Sequence, residues 1–476
     1  MQDCHEAAEP DHPLFLEAIQ AHEAGDYPRA ETLYHDILRA CPEHLDARIS
    51  LCLLYRAAGD PDRGRRCFEE TRRLAPPDAD LHVQLGTVCH GQGEEELAMD
   101  FYRQALAVAP DHHRAWYNLG TAELNRGEAA AAAAAYRQAL KQDPDDVDTL
   151  YNLALALAEL EKLPAAAHIY HRALARAPDD RDILYNLGVL YRRMNRYAEA
   201  MRHLVRVIEL DPDYAAAHSH LGAMWAQLGE KELAIGSFEK LVALDHQAES
   251  ARHMLAALRE ETPAAPAREY VAGLFDQYAG KFEDELMEQL GYRVPFIMAE
   301  LLRETFGHEM HGQLLDLGCG TGLAGEAFLA HAAGLTGVDL SGGMLEQARQ
   351  KNIYDALHQE DLLEFCRRDQ QRRFDLAVAA DVLNYLGDLA PLFQVVGNCL
   401  QPGGLLLFSI EEGANDGFVL QENGRYAHSP QYIQTLITGH GFTVLNQRQC
   451  ELRREKGRWV HGGLYLLQRQ TTDNQR

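Results

Sequence analysis

Leu314-Leu315-Asp316-Leu317-Gly318-Cys319-Gly320-Thr321-Gly322-Leu323-Ala324-Gly325 is the stretch on which the reading of this 476-residue chain turns. A short apolar run carries an acid, glycines follow at every second position, and a helix-forming segment comes next. That order predicts a strand, a tight turn and the start of a helix. Glycine suits such a turn because it tolerates φ > 0 and lets a ligand approach bare backbone. The helix N-terminus beyond it offers unpaired N–H groups and the positive end of a dipole. The stretch therefore reads as a nucleotide-like cofactor site.

Downstream, apolar runs alternate with helical segments, and each run ends in an acid. Leu335–Val338 ends at Asp339, Ala356–Gln359 at Glu360-Asp361, and Phe374–Ala380 at Asp381; Leu405–Ile410 follows a Pro402-Gly403-Gly404 turn. Ser341 is a plausible N-cap for the helix after Asp339. Alternating strands and helices predict a mostly parallel sheet that binds ligands at the strands' C-terminal ends. The last two runs, Phe442–Leu445 and Leu464–Leu467, flank the polar segment Arg453–Arg458 without room for a crossover helix. They are expected to pair as an antiparallel hairpin.

Upstream, prolines fall every 34 residues at Pro42, Pro76, Pro110, Pro144, Pro178 and Pro212. A turn glycine recurs at Gly25, Gly59, Gly93, Gly127 and Gly229, with Glu161 and Asn195 at the two exceptions. Small residues stand seven before most of these turns (Ala18, Gly86, Gly120, Ala154, Gly188, Gly222; Cys52 in the second unit). Such offsets let two antiparallel helices approach closely, and the proline ends the second helix. Seven such units resemble the tetratricopeptide repeat over residues 11–248. The resemblance implies a superhelix with a concave groove for a protein or peptide partner. Asn118, Asn152 and Asn186 occupy one position of three successive units. The family implies that they grip a peptide backbone, since an amide offers both a donor and an acceptor. A capping helix is expected over 249–261 and a stiff, proline-bearing linker over 262–267.

The net charge is −27, shared by both parts: residues 1–262 carry 27 basic and 44 acidic side chains, residues 263–476 carry 18 and 28. Neutralising phosphates takes Lys and Arg, so a nucleic-acid partner is disfavoured. Met1–Glu6 has no basic or apolar leader character, and no apolar run approaches the length of a membrane span. Nine scattered cysteines without a CxxC pair suit free thiols and a cytoplasmic location. His308 and His311 with Cys319 lack a fourth ligand, and His168/His171 and His218/His220 lack carboxylate or thiol company, so no metal site is expected.

Two cofactors compete for the glycine turn. Gly320-x-Gly322-x-x-Gly325 with Asp339 satisfies a dinucleotide fingerprint and would suit an NAD-dependent oxidoreductase. Asp316 ahead of the glycines suits S-adenosylmethionine better, because its ammonium needs a carboxylate and it has no pyrophosphate. The terminal hairpin favours the same choice. Residues 268–470 thus resemble class I S-adenosylmethionine-dependent methyltransferases, most closely bacterial ones fused behind tetratricopeptide repeats. The fold class implied is an all-α repeat superhelix followed by an α/β Rossmann-like, seven-stranded sheet with a terminal antiparallel hairpin.

By this resemblance Asp316, Gly318 and Gly320 hold the methionine part and Gly322 keeps the turn open. Asp339 takes both ribose hydroxyls, Leu340 and Met344 pack on the adenine, and Asp361 accepts from the adenine amino group beside Leu362. Ala380 and Asp381 line the cofactor, while Tyr278 and Phe282 belong to a leading helix that lies over it. Asn384 and Tyr385 fall where acceptor contacts lie, and Arg425, Tyr426 and His428 sit in an insertion, with His428 a candidate base. Methyl transfer from a sulfonium needs alignment and desolvation more than a fixed catalytic residue, although a hydroxyl acceptor needs a base. Three readings follow: methylation of a partner held by the repeats, methylation of a small molecule with the repeats serving assembly, or a non-catalytic scaffold.

Overall fold

The computed structural model describes residues 13–74, 78–91, 93–265, 268–278, 283, 291–308, 310–368, 374–414, 416–455 and 457–470. Pro76 and Phe282 lie outside the described residues. The chain divides into two compact units, Met1–Pro212 and Asp213–Arg476.

Helices pair in the first unit as the 34-residue period requires: α1 (Pro13–Glu23) with α2 (Tyr27–Ala40), α3 (Leu45–Ala57) with α4 (Pro61–Leu74), and α5 (Ala79–Gly91) with α6 (Glu95–Val108). Three more pairs follow, α7 (His113–Asn125) with α8 (Ala129–Ala139), α9 (Val147–Glu159) with α10 (Leu163–Arg176), and α11 (Arg181–Arg193) with α12 (Tyr197–Leu210). Where the small residue of the first helix is glycine, it sits under a large side chain of the second. A Cβ on Gly86 would lie 2.4 Å from the Tyr102 ring, and one on Gly188 would lie 2.6 Å from Leu204. The turn position is left-handed in every pair. Gly25, Gly59, Gly93 and Gly127 have φ of 76–84°, and Glu161 and Asn195 are forced to 56° and 58°.

One sequence expectation fails here. Cys52 and Cys67 are joined in a disulfide, with Cα atoms 5.2 Å apart, linking α3 to α4. A helical hairpin folds residues 15 apart onto each other, a separation that no search for CxxC spacing detects. The free-thiol argument for a cytoplasmic location is weakened accordingly. Among the described residues, Cys41, Cys89, Cys319, Cys366, Cys399 and Cys450 form no disulfide, and no helix is long and apolar enough to cross a membrane.

In the second unit a further hairpin, α13 (Ala215–Leu228) and α14 (Lys231–Leu244), and a single helix, α15 (Glu249–Leu258), precede the sheet. Next come α16 (Arg268–Tyr278) and α17 (Val294–Phe306). The alternation then runs β1 (Gly312–Leu317), α18 (Leu323–Phe328), β2 (Ala332–Asp339), α19 (Gly342–Gln350), β3 (Ala356–Gln359), α20 (Leu362–Arg368) and β4 (Phe374–Ala379). After α21 (Ala390–Cys399) and β5 (Leu400–Glu411) comes a small ribbon, β6 (Phe418–Leu420) and β7 (Tyr426–His428); α22 (Pro430–Gly439), β8 (Phe442–Glu455) and β9 (Arg458–Arg469) complete the unit.

The seven-stranded sheet has the order β3-β2-β1-β4-β5-β9-β8. β1 to β5 are parallel, and β9 is antiparallel to both β5 and β8. Both faces are apolar because helices cover both. Leu315, Ala377 and Leu406 enter one core, while Leu314, Leu376 and Leu405 enter the other. The terminal hairpin is longer than expected. Its strands run to Glu455 and resume at Arg458, so Arg453 lies within β8 rather than in a polar connection, and it is 1% exposed.

Two substitutions test the repeat geometry. Gly86→Ala drives a methyl into Tyr102 and is expected to lower stability by about 1–3 kcal/mol. Glu161→Gly relieves a left-handed side-chain-bearing residue and is expected to raise it by roughly 0.5–1 kcal/mol. Urea denaturation of the whole chain, followed by far-UV circular dichroism, checks both signs.

Candidate functional site

The glycine turn is built from the β1 end outward. Gly318, Gly320 and Gly322 have φ of 68°, 54° and 93°. The N–H groups of Gly318 and Cys319 donate to the Val338 carbonyl at 2.7 and 3.1 Å, which fastens the turn to β2. Asp339 then binds two turns with one carboxylate: Oδ2 accepts from the Gly320 N–H and Oδ1 from the Ser341 N–H, each at 2.8 Å. Ser341 caps α19, its Oγ accepting from the Met344 N–H at 3.1 Å and donating to Asp276 Oδ1 of α16 at 2.5 Å. The leading helix is thereby fixed beside the β2 end, with the Gly343 N–H donating to the same Asp276 oxygen at 3.2 Å. Tyr278 closes that helix, and its side chain lies outside the described residues.

Asp316 is 1% exposed. Its Oδ2 accepts from the Tyr354 hydroxyl at 2.6 Å, and its Oδ1 is buried with no partner. Burial is the main cause that pushes its carboxyl up to about 7; the Tyr354 bond and the nearby Gly325 N–H pull the other way, and the Asp339 charge adds to the rise. Burial likewise raises Asp339, against the pull of its backbone donors. At Gly320 a Cβ would meet nothing within 4 Å, so the turn faces open space beside these acids. A buried, unpaired carboxylate oxygen next to open backbone fits a ligand with a cationic group.

The other strand-end residues gather along the same edge. Asp361 caps α20, Oδ1 accepting from the N–H groups of Leu363 and Glu364 at 2.9 and 3.1 Å, and Oδ2 lies 3.4 Å from Arg268 Nε. Leu340, Leu362 and Ala380 are half-buried, while Met344 is fully buried as part of the core. Cys319 is a buried filler whose thiol is pushed up by burial.

Beyond β4 a charged cluster is packed inside the protein. Asp381 adopts φ 57°, and its N–H donates to Ser409 Oγ at 2.7 Å. Asp381 Oδ1 accepts from Asn384 Nδ2 at 3.0 Å and from Arg453 Nη1 at 2.9 Å. Arg453 Nη2 donates to Glu411 Oε1, which also accepts from Asn384 Nδ2 at 3.3 Å. Asn384 Oδ1 is buried without a partner. From the β6–β7 ribbon region, Gln421 Nε2 donates to Glu411 Oε2 at 3.0 Å and Arg425 Nε to the Tyr385 hydroxyl at 3.1 Å. The Tyr385 ring meets Phe275 of α16 edge-on at 5.0 Å.

Asp381, Asn384 and Tyr385 are thus brought together. His428 departs from the sequence expectation. It is fully buried, Nε2 donates to the Gly387 carbonyl at 2.9 Å, and burial lowers its pKa. A ring held there braces a loop and is not a surface base. Sequence reasoning gave no role to Arg453, Glu411, Tyr354 or Asp276. Two had a signal: Glu411 as an acid at a strand end like Asp316 and Asp339, and Asp276 as the acid of the Phe-Asp pair in the leading helix.

Asn118, Asn152 and Asn186 form a ladder, but with the protein itself. Asn118 Nδ2 donates to Thr87 Oγ1 at 3.3 Å, Asn152 Nδ2 to the Tyr117 hydroxyl at 3.1 Å, and Asn186 Nδ2 to the Tyr151 hydroxyl at 3.0 Å. The donor half of each amide is therefore engaged between successive repeats.

Comparison with known proteins agrees with this architecture. A family described as a methyltransferase domain matches residues 315–406. Tetratricopeptide-repeat families match residues 21–85, 79–112, 102–147, 135–168 and 157–221. The chain is 33% identical over 99 residues to a ubiquinone biosynthesis O-methyltransferase of Coxiella burnetii, covering 20% of this chain and 42% of that one. It is 33% identical over 104 residues to nodulation protein S of Rhizobium tropici, covering 21% and 44%. The chain thus spans less than half the length of these curated relatives. Among solved structures it is similar to YrrB, with 22% identity, 39% of this chain and 96% of that one covered, and a TM-score of 0.36. A tetratricopeptide-repeat protein from Cytophaga hutchinsonii is 13% identical, with 50% and 98% covered and a TM-score of 0.41. The chain is therefore a tetratricopeptide-repeat protein that carries a methyltransferase domain after its repeats.

Proposed function

We propose that residues 268–470 bind S-adenosylmethionine along the C-terminal ends of β1 to β4 and transfer its methyl group to an acceptor. The observation that carries this reading is the buried Asp316 Oδ1, unpaired beside an open glycine turn. S-adenosylmethionine supplies an activated methyl on a sulfonium and an ammonium that needs such a carboxylate. Asp316 would receive the ammonium, with Gly318 and Gly320 leaving the backbone accessible and Gly322 opening α18. Asp339, pre-oriented by two N–H groups, would accept from the ribose hydroxyls. Leu340, Met344, Asp361 and Leu362 would form the adenine end, Ala380 the floor beneath it, and Tyr278 part of the cover. Asp381, Asn384 and Tyr385 would face the acceptor. The antiparallel β9 between β5 and β8 speaks against the rival dinucleotide reading, because a dehydrogenase sheet has no such hairpin.

The acceptor is assigned to a protein or peptide recruited by the repeats over 11–248, with 249–261 as cap and 262–267 as linker. Asn118, Asn152 and Asn186 can serve such a partner through their carboxamide oxygens. A second reading, a small-molecule acceptor with repeats for assembly, is supported by the O-methyltransferase name of the Coxiella relative and by the engaged amide donors. With radiolabelled S-adenosylmethionine in cell extract, label is expected in protein. Label in small metabolites alone would remove the first reading.

Calorimetric titration with S-adenosylmethionine is expected to show one site in the wild type. Asp339→Ala should weaken it by more than tenfold, and an equal signal in both would sink the proposal.

A second prediction concerns Asp316. Its folded pKa, about 7, lies above the ordinary 3.8. The group therefore contributes stability that is fully present below the unfolded value and lost as pH rises through about 7. At pH 8 Asp316→Asn removes that penalty and is expected to stabilise the ligand-free protein by roughly 1–3 kcal/mol. The gain should vanish near pH 4 in denaturant titrations. Cofactor affinity should fall as pH drops below 7, approaching tenfold per unit, with proton release detected calorimetrically in buffers of different ionisation enthalpy.

A further inference from the structure

The segment between the last repeat and the sheet domain is fastened at several points to the loops that carry Tyr385 and Arg425. His253 of α15 is 5% exposed, and its Nε2 donates to the Gly424 carbonyl at 2.9 Å. Its ring stacks on Tyr270 of α16 with centroids 4.2 Å apart. Gly424 has φ +80°, and a Cβ there would lie 2.5 Å from the Tyr270 hydroxyl and 3.0 Å from Met254 Sδ. The next residue is Arg425, whose guanidinium holds the Tyr385 hydroxyl.

The linker makes a second set of contacts. Thr262 Oγ1 accepts from the Leu420 N–H at 3.3 Å, the Pro263 carbonyl from the Tyr426 hydroxyl at 3.0 Å, and the Ala264 carbonyl from the Asp388 N–H at 2.7 Å. Gly387 is pressed between these carbonyls and His428. A Cβ on it would lie 2.7 Å from the Ala264 oxygen and 2.9 Å from the Pro263 oxygen, while its own carbonyl accepts from His428 Nε2. Ala257, Leu420 and Tyr426 complete the contact as a small apolar cluster.

A two-stranded ribbon of three-residue strands is not stable alone in water. The β6–β7 ribbon therefore takes much of its order from α15 and the linker, elements that a domain boundary drawn at residue 268 would discard. We propose that residues 249–264 are a positioning element of the acceptor side, with His253 setting Arg425 through Gly424 and the linker carbonyls setting the loop that bears Tyr385. The assignment rests on the reading of Tyr385 as facing the acceptor. His253 and the linker touch no cofactor-side residue named above, so they act through other side chains and are positioning rather than catalytic.

The test uses the full chain and three variants. His253→Phe keeps a stacking ring and drops the donor, His253→Gln restores a donor, and Gly387→Ala wedges the linker from the loop at an ordinary φ. Hydrogen–deuterium exchange read by mass spectrometry is expected to quicken at least tenfold in peptides spanning 383–388 and 418–428 for His253→Phe and Gly387→Ala. His253→Gln should stay within threefold of wild type, and S-adenosylmethionine affinity should stay within twofold in all three. Radiolabelled methyl incorporation in cell extract should fall about tenfold in His253→Phe and recover in His253→Gln. Exchange at these two segments equal to wild type overturns the proposal. So does quickening spread evenly over the chain, or the lack of rescue by glutamine. Failure of the wild type to bind S-adenosylmethionine would overturn the methyltransferase reading instead, leaving the exchange result to stand separately.

Discussion

A guanidinium sealed inside a protein has to be neutralised where it stands, and Arg453 imposes that condition on three strands at once. It reaches from β8 to Asp381 after β4 and to Glu411 at the end of β5. Burying three charges is costly, and removing the arginine would leave two carboxylates without their shared cation, at a cost of several kcal/mol. Asp381 meets Arg453 from a left-handed backbone that only a minority of non-glycine residues adopt, its N–H engaged by Ser409. Asn384 is oriented by the same two carboxylates, so its amide nitrogen faces them and its oxygen points elsewhere. The edge of the sheet at the ends of β4 and β5 is in this sense organised by an arginine from near the far end of the domain's sequence.

The edge that carries the glycine turn obeys a different economy. There the acids lean chiefly on backbone donors: Asp339 on two turns, and Asp361 on a helix start with Arg268 beside it. Asp316 alone keeps a buried oxygen without a partner, and its raised pKa records the penalty. A group kept in a poor environment in the empty protein gains most when an oppositely charged ligand arrives. Groups perturbed by burial in this way cluster at functional sites.

Periodic features were legible in the sequence, and contacts between distant residues were not. The left-handed turn at Glu161 and Asn195 follows from a 34-residue ruler that fixes the position whatever residue occupies it. The strand ends at Asp316, Asp339, Asp361 and Asp381 follow from alternation of apolar runs with helices. Arg453 sits among Arg454, Glu455 and Lys456, where composition suggests a solvated loop; only the pairing of β8 with β9 carries it inside. The Cys52–Cys67 bond, the Tyr354–Asp316 bond and the bracing of Gly387 by His428 likewise join residues whose separations have no period. His428 illustrates the hazard best: an insertion histidine has the composition of a base and the burial of a strut.

The ladder of amides between successive repeats has a bearing on how such an array can lengthen. Tyr117 precedes Asn118 and Tyr151 precedes Asn152, and each tyrosine receives the asparagine of the unit that follows it. A unit copied from this stretch arrives with an acceptor for its successor and a donor for its predecessor. Tandem duplication there leaves every rung satisfied, and the array can grow from its middle without new side chains. Asn118 meets Thr87 rather than a tyrosine, so the series has a first rung, and a copy inserted ahead of it would have to create its own joint.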